Sequence, residues 1–158
     1  MKKLLPVIIT LFVVLMATSS KGQHFVKVSK SEAGKTINLT TDQVLEIRLP
    51  RKSSTGYTWC LSVNEDKTIP NAVAQIGEDE FVLDSQKKLK SRKIFGGSGT
   101  QIIRYVGSSQ GTTVLKLELR RPWEKDISAL DNYTITVVSS GKYTGTYTPP
   151  VKKKPITL

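Results

Sequence analysis

A chain of 158 residues with 38% hydrophobic content is long enough for one domain with an apolar core, and its formal charge of +11 makes it basic. With a single cysteine, Cys60, no internal disulfide can form, so packing must hold the fold. The one histidine, His24, stands far from Cys60, and HExxH, CxxC, histidine clusters and phosphate loops are all missing, which leaves no sequence pattern for a metal centre, a cofactor or an enzyme.

The chain opens with Lys2 and Lys3, continues as an uncharged apolar run over residues 4–17, and reaches the small residues Ala17, Thr18, Ser19 and Ser20. That order is the pattern of a signal peptide, so residues 1–22 are expected to be removed, leaving a secreted or periplasmic chain that begins near Gln23. The apolar run is short for a bilayer span and no later stretch approaches the needed length, so no membrane association is expected after cleavage. Loss of Lys2, Lys3 and Lys21 takes the formal charge from +11 to +8. Such a charge speeds encounter with acidic surfaces without choosing among them.

Beyond residue 23 the hydrophobic period is two almost everywhere. Phe25, Val26 and Val28 mark an edge strand, and Ile37 and Leu39 flank Asn38 in the next. Leu45, Ile47 and Leu49 alternate with Glu46 and Arg48 up to Pro50, which is expected to stop the strand. Tyr57, Trp59, Leu61 and Val63 share one face of the following strand, which places Tyr57 and Trp59 in the core. Residues 64–72 are polar and read as a connection. Phe81 and Leu83 form a short strand, and Glu78 and Glu80 beside them read as acidic surface rather than as a catalytic pair. The basic run Lys87-Lys88-Leu89-Lys90-Ser91-Arg92-Lys93 reads as a solvated loop leading into Gly96-Gly97-Ser98-Gly99. On the next strand Ile103 and Tyr105 face one way, Ile102 and Val106 the other. Strands over about 113–119 and 132–138 bracket Arg120-Arg121-Pro122-Trp123-Glu124. Residues 141–158, rich in Lys and Pro, read as a flexible basic tail, with an edge strand around residues 143–147 as the alternative. Asn38-Leu39-Thr40 and Asn132-Tyr133-Thr134 are glycosylation sequons.

Short strands with turn signals between them and no helical periodicity predict an antiparallel sandwich or barrel. If successive strands alternate in direction, every second connection falls at one end, which brings together residues 50–56, 94–100 and 120–131. A Trp beside a rigid Pro and two Arg on a turn reads as a binding tip, because Trp and Arg are the side chains most common at interface hot spots. The alternative is that Trp123 plugs the end of the core.

These three loops, in this order and spacing, resemble those of the chagasin family, immunoglobulin-like inhibitors of papain-like cysteine peptidases. The family's first loop, Asn-Pro-Thr-Thr-Gly followed by an aromatic, one residue and Trp, is matched by Lys52, Ser53, Ser54, Thr55, Gly56, Tyr57, Thr58 and Trp59. Its second loop, Gly-x-Gly-Gly, is matched by Gly96, Gly97 and Gly99, with Ser98 in place of a Gly. Its third, Arg-Pro-Trp with a following Glu, is met in full by Arg121, Pro122, Trp123 and Glu124.

The resemblance implies an all-β, immunoglobulin-like antiparallel sandwich of about seven strands over residues 23–140, monomeric and without cofactor. It also implies a wedge: Ser54, Thr55 and Gly56 approach the catalytic Cys and His of the peptidase, the glycines let backbone come close, Trp123 lies on an apolar wall, and Arg121 reaches a polar partner. Lys52 and Ser53 in place of Asn and Pro remove a turn-stiffening pair, so altered strength or enzyme preference is expected. Two other classes remain on the residues alone: an adhesion or glycan-binding module, and a polyanion binder. Nucleic acid is not expected, since no aromatics interleave the basic run.

Overall fold

The computed structural model describes residues 23–62, 72–84, 97–124 and 126–149. The proposed signal peptide, Val63, the connection up to residue 71, the basic run 87–93 and Gly96 lie outside the described residues. Among the described residues nine strands form two facing sheets: β1 (His24–Ser29), β2 (Thr36–Leu39), β3 (Gln43–Lys52), β4 (Thr58–Leu61), β5 (Val73–Gln75), β6 (Glu80–Leu83), β7 (Ser98–Gly107), β8 (Gln110–Arg120) and β9 (Asp131–Ser140). Sheet A runs β1-β3-β7, with β5 and β6 on successive stretches of the far edge of β7. Sheet B runs β2-β9-β8-β4. Helical structure among the described residues is confined to two single 3-10 turns, Lys30–Glu32 and Ser53–Thr55.

The all-β, immunoglobulin-like sandwich expected from the sequence is present, with two differences. Nine strands are found among the described residues rather than about seven, and the one without a signal in the sequence, β5, spans only three residues, too few to show a period. Two pairings are parallel, β1 with β3 and β2 with β9. Between β1 and β2 the chain crosses from sheet A to sheet B through the turn Lys30–Glu32, so each of the two strands joins the edge of a different sheet.

Inner faces meet in a core of Leu45, Ile47, Leu49, Ile103 and Tyr105 from sheet A with Trp59, Leu115, Leu117, Tyr133, Ile135 and Val137 from sheet B. Each such side chain, fully removed from water, contributes about 1.5–3 kcal/mol. Pro50 does not end β3, which continues to Lys52. Ser53 N–H donates to Gly97 O, so with an antiparallel register the hydrogen-bonded pairs with β7 fall at Arg51 and Leu49 and skip Pro50. The missing donor of Pro50 therefore points to the other edge, where β1 has already ended opposite Arg48.

Gln101 ties the two sheets together below the loops. From β7 its Oε1 accepts from Trp59 N–H at 2.9 Å and from the Thr58 hydroxyl at 3.0 Å, while its Nε2 donates to Trp59 O at 2.9 Å and to Asp79 Oδ2 at 2.7 Å. Both ends of a fully buried amide are thereby satisfied. Trp59 Nε1 donates to Pro50 O at 2.9 Å, a second link from β4 to sheet A.

The outer face of sheet A is buried too. Val44, Ile102 and Val106 are covered, and so are Glu46 and Arg104, whose Nε meets Glu46 Oε2 at 2.9 Å while its Nη2 meets Glu80 Oε2 at 2.9 Å. Burying these charges is tolerable because each has an opposite partner. Residues 141–149, expected as part of a flexible tail, run back along this side instead. Tyr143 N–H donates to Gly107 O and Thr144 N–H to Thr41 O, both at 2.8 Å, and the Tyr147 ring lies over Gly77 beside Arg104. The segment's Lys and Pro content conceals this role, which rests on two backbone hydrogen bonds and the half-buried Tyr147.

A chain stopped after Ser140 is expected to lose at least about 2 kcal/mol, two hydrogen bonds and part of two tyrosines, seen as a fall in Tm of roughly 5–10 °C; an unchanged Tm would mean that the segment covers nothing of consequence. A second expectation concerns acid. Hydrogen bonds from the Ser31 and Ser29 hydroxyls and from Ser29 N–H hold Glu32 at about 2, below its ordinary 4.5. A carboxylate whose pKa is depressed by folding contributes stability that is complete above the unfolded value and is lost as pH falls through the folded one. Tm should therefore decline between pH 4.5 and about 2, and Glu32→Gln should make that decline shallower.

Candidate functional site

Loop 1 is built by β3 and β4. Lys52, Ser53, Ser54 and Thr55 are exposed, and the Thr55 hydroxyl closes the 3-10 turn by donating to Lys52 O at 2.8 Å. Gly56 ends the turn at φ 76°, a left-handed conformation that disfavours any side chain. Ser53, standing where the resemblance expects Pro, uses the N–H that Pro lacks: it donates to Gly97 O at 3.2 Å, and its hydroxyl lies 3.3 Å from the same oxygen. Stiffness lost with the proline is thus replaced by a bond to loop 2. Among the described residues no group bonds the Ser54 hydroxyl, which is left at the tip.

Loop 2 is largely strand. Ser98 and Gly99 begin β7, paired with Lys52 and Arg51, and only Gly97 precedes them among the described residues. The expectation that these glycines clear a path for another surface fails at Gly99. A Cβ there would meet the Phe81 ring and Val82 O at 2.5 Å, so the glycine serves the packing of β6 on β7. Phe81 in turn carries the Arg51 guanidinium 4.7 Å above its ring, and Arg51 Nη1 donates to the hydroxyl of Thr58.

Loop 3 leaves β8 at Arg120. Glu124 N–H closes a turn on Arg121 O at 3.0 Å, and Pro122 and Trp123 occupy its corner. Arg121 is not free to reach outward as expected. Its Nη1 pairs with Glu124 Oε1 at 2.8 Å, its Nε donates to Thr55 O at 3.0 Å, and its guanidinium stacks 4.7 Å from the Tyr57 ring centre. The pair with Glu124 holds its pKa above the ordinary value. Arg121 therefore braces loop 3 against loop 1. Tyr57, expected in the core with Trp59, lies outside β4 and half buried as the platform for this arginine, because the left-handed Gly56 interrupts the alternation just before it. Trp59 is in the core as expected.

Trp123 is 66% exposed, so it does not plug the core. Its ring edge rests on Gly56, where an added Cβ would lie 2.8 Å from Trp123 Cη2. Loops 1 and 3 thus touch through a glycine that has two reasons to be one. The base of loop 3 is clamped from β1's end: Lys30 Nζ meets Asp131 Oδ1 at 2.7 Å and Asn132 O at 2.8 Å, 4.9 Å above the Trp59 ring. This pair lowers the Asp131 pKa. Neither Lys30 nor Gln101 carried any local signal of such a role.

Among the described residues no catalytic groups are assembled at this end. His24 lies at the start of β1, 3.9 Å from Asp42, while half-buried Cys60 lies on β4 with burial pushing its thiol up and leaving little thiolate. What the end of the sandwich offers is a rigid surface: a hydroxyl tip, a strand-anchored glycine edge and an indole.

Residues 38–137, which contain all three loops, match the family model described as chagasin family peptidase inhibitor. Chagasin of Trypanosoma cruzi is 26% identical over 109 residues, covering 69% of this chain and 93% of that protein. Amoebiasin-2 of Entamoeba histolytica is 26% identical over 137 residues, covering 81% of this chain and 95% of that protein. Among solved structures, a cysteine protease inhibitor of Entamoeba histolytica superposes with a TM-score of 0.56 at 22% identity, over 73% of this chain and 95% of that one, a likeness of fold.

Gly56→Ala is expected to lower stability by about 1–2 kcal/mol in urea unfolding, from the left-handed strain, and to push the Trp123 ring off loop 1. The displacement is read as increased quenching of tryptophan fluorescence by acrylamide; unchanged quenching would refute the contact.

Proposed function

Since the chain belongs to the chagasin family of peptidase inhibitors, we propose that it is a reversible, competitive inhibitor of papain-like cysteine peptidases whose three loops occupy the active-site cleft together. The family is one of inhibitors and not of enzymes. In this reading loop 1 enters the cleft with Ser54 foremost, flanked by Thr55 and Gly56. Gly97 and Ser98 follow one rim, and Gly99 holds that edge against β6. Trp123 lies on the other rim, with Pro122 fixing the corner. Lys52 and Ser53 support the tip, and Tyr57 and Arg121 act from beneath it. The mature chain is a monomer released outside the cytoplasm, secreted or periplasmic, after loss of residues 1–22, with residues 23–140 as the inhibitor domain.

The observation that carries this reading is the Arg121 brace, because it joins two of the motif loops into one pre-formed surface. A peptide-like loop in a peptidase cleft is a substrate unless it is held rigid. Bonds from Arg121 to Thr55 O and from Ser53 N–H to Gly97 O supply that rigidity and reduce the ordering entropy lost on binding. An interface of about 800 Å² per partner is usual for such inhibitors, and an exposed Trp at its centre is the type of residue that dominates it.

Titration of the mature chain into papain and a cathepsin-L-like peptidase of known active-site concentration, with trypsin as control, is expected to show competitive inhibition of the cysteine peptidases alone. Trp123→Ala is expected to weaken that inhibition at least tenfold, about 1.4 kcal/mol, with Tm unchanged. No inhibition by folded protein at micromolar concentration would refute the reading.

A further inference from the structure

The side chains of Ile127 and Leu130 make none of the polar contacts that hold the loops together, yet they are displayed. Among the described residues the exposed large hydrophobics are Val114, Trp123, Ile127, Leu130 and Val138, and three of the five stand between residues 123 and 130. Single exposed apolar residues are ordinary, but Ile127 at 59% and Leu130 at 65% exposure share one loop with Trp123. Residues 127–130, Ile-Ser-Ala-Leu, carry no charge in a chain with 24 Lys and Arg, and depletion of charge marks the centre of an interface.

The exposure of Leu130 is built into the backbone. Leu130 N–H donates to Leu119 O at 2.9 Å, and the next residue, Asp131, is clamped by Lys30 at 2.7 Å. Leu130 also walls an open groove of about 460 Å³, shared with Leu119 and Tyr57 and bounded by Lys52 and Thr55 of loop 1. Leu130 therefore adjoins loop 1 through this groove, and Ile127 stands on the loop that carries Trp123, beyond the charged Glu124, Lys125 and Asp126.

We propose that Ile127 and Leu130 form a second apolar contact with the peptidase, on the enzyme surface flanking its cleft, and that this contact sets which papain-like peptidases are held most tightly. The inference rests on the inhibitor reading and adds to it two residues outside the Arg-Pro-Trp motif. The occupant is the peptidase because the patch lies on the loop that carries Trp123 and opens toward the loop that carries Ser54. A second copy of the chain seated there would cover the same loops, so self-association would compete with inhibition.

Inhibition constants are to be measured for Ile127→Ser, Leu130→Ser, the double variant and Trp123→Ala against papain and a cathepsin-L-like peptidase, with Tm and sedimentation velocity for each. Both side chains are exposed, so Tm should not move. Each single variant is expected to weaken inhibition about fivefold and the double about twentyfold, for at least one enzyme, with a changed ratio between the two enzymes and the loss carried by koff. A double variant within twofold of the parent on both enzymes, while Trp123→Ala shows its tenfold loss, overturns this inference and leaves the inhibitor reading standing. A double variant that turns a dimer into a monomer with inhibition unchanged overturns it in favour of self-association. A parent chain that inhibits neither enzyme removes both.

Discussion

The carboxamide of Gln101 does for β4 what a neighbouring strand would do. Apolar packing between sheets fixes their separation but constrains sliding only weakly, since side chains of similar shape can exchange neighbours. Gln101 adds direction: it satisfies both the N–H and the C=O of Trp59 across the gap, and the bonds hold only at one offset of β4 against β7. β4 is the strand into which loop 1 returns, and β7 is the strand that starts at loop 2. A bond between those two strands sets the width of the site. An apolar residue at position 101 would leave two backbone groups of Trp59 buried without partners, a larger loss than the bonds themselves contribute.

From that base the site is assembled by contacts between residues distant in sequence. Arg51, on the strand entering loop 1, is held by Thr58, Gln101 and the Phe81 ring. Arg121, on the loop that follows β8, spans to Thr55 and stacks on Tyr57. Exposed ion pairs contribute little singly, but a guanidinium with a carboxylate, a carbonyl and an aromatic face at once has one geometry available. The consequence is a division of work. Polar groups of Ser53, Thr55 and Arg121 are consumed inside the protein, which leaves the Ser54 hydroxyl, the Trp123 ring and the apolar flank to meet a partner.

How much of this is visible in the sequence depends on the range of the interaction. Period-two alternation located eight of the nine strands found among the described residues, β1 and β2 among them, within a few residues. It missed β5, which has no room for a period, and it gave no information on pairing direction at the edges. Motif spacing located the three loops, since Gly56, Pro122 and the Gly-Ser-Gly run are local backbone devices. It misassigned Tyr57, Gly99 and Arg121 because each is defined by a neighbour 15 to 70 positions away: Arg121 for Tyr57, Phe81 for Gly99, Thr55 for Arg121. Residues 141–149 are hard to read for the opposite reason. The tail's Lys and Pro content is that of a linker, whereas residues 141–149 are tied down by backbone hydrogen bonds from Tyr143 to Gly107 and from Thr144 to Thr41 and by the Tyr147 ring over Gly77.

β7 joins these facts into one mechanical argument. It pairs with β3, β5 and β6; its inner face bears Gln101, its outer face bears Arg104 under the C-terminal segment, and its first residues are the glycine edge of the site. Any movement of Ser98 and Gly99 would have to shear this central strand against three partners and uncover a buried arginine between two glutamates. Loop 1 is tied to the same strand by Ser53, and loop 3 is tied to loop 1 by Arg121 and to β1 by Lys30. A surface fixed in this way meets its partner without rearrangement, as protease inhibitors commonly do. Discrimination between peptidases must then come from what the fixed tip and its apolar flank touch, and not from how far the loops can adapt.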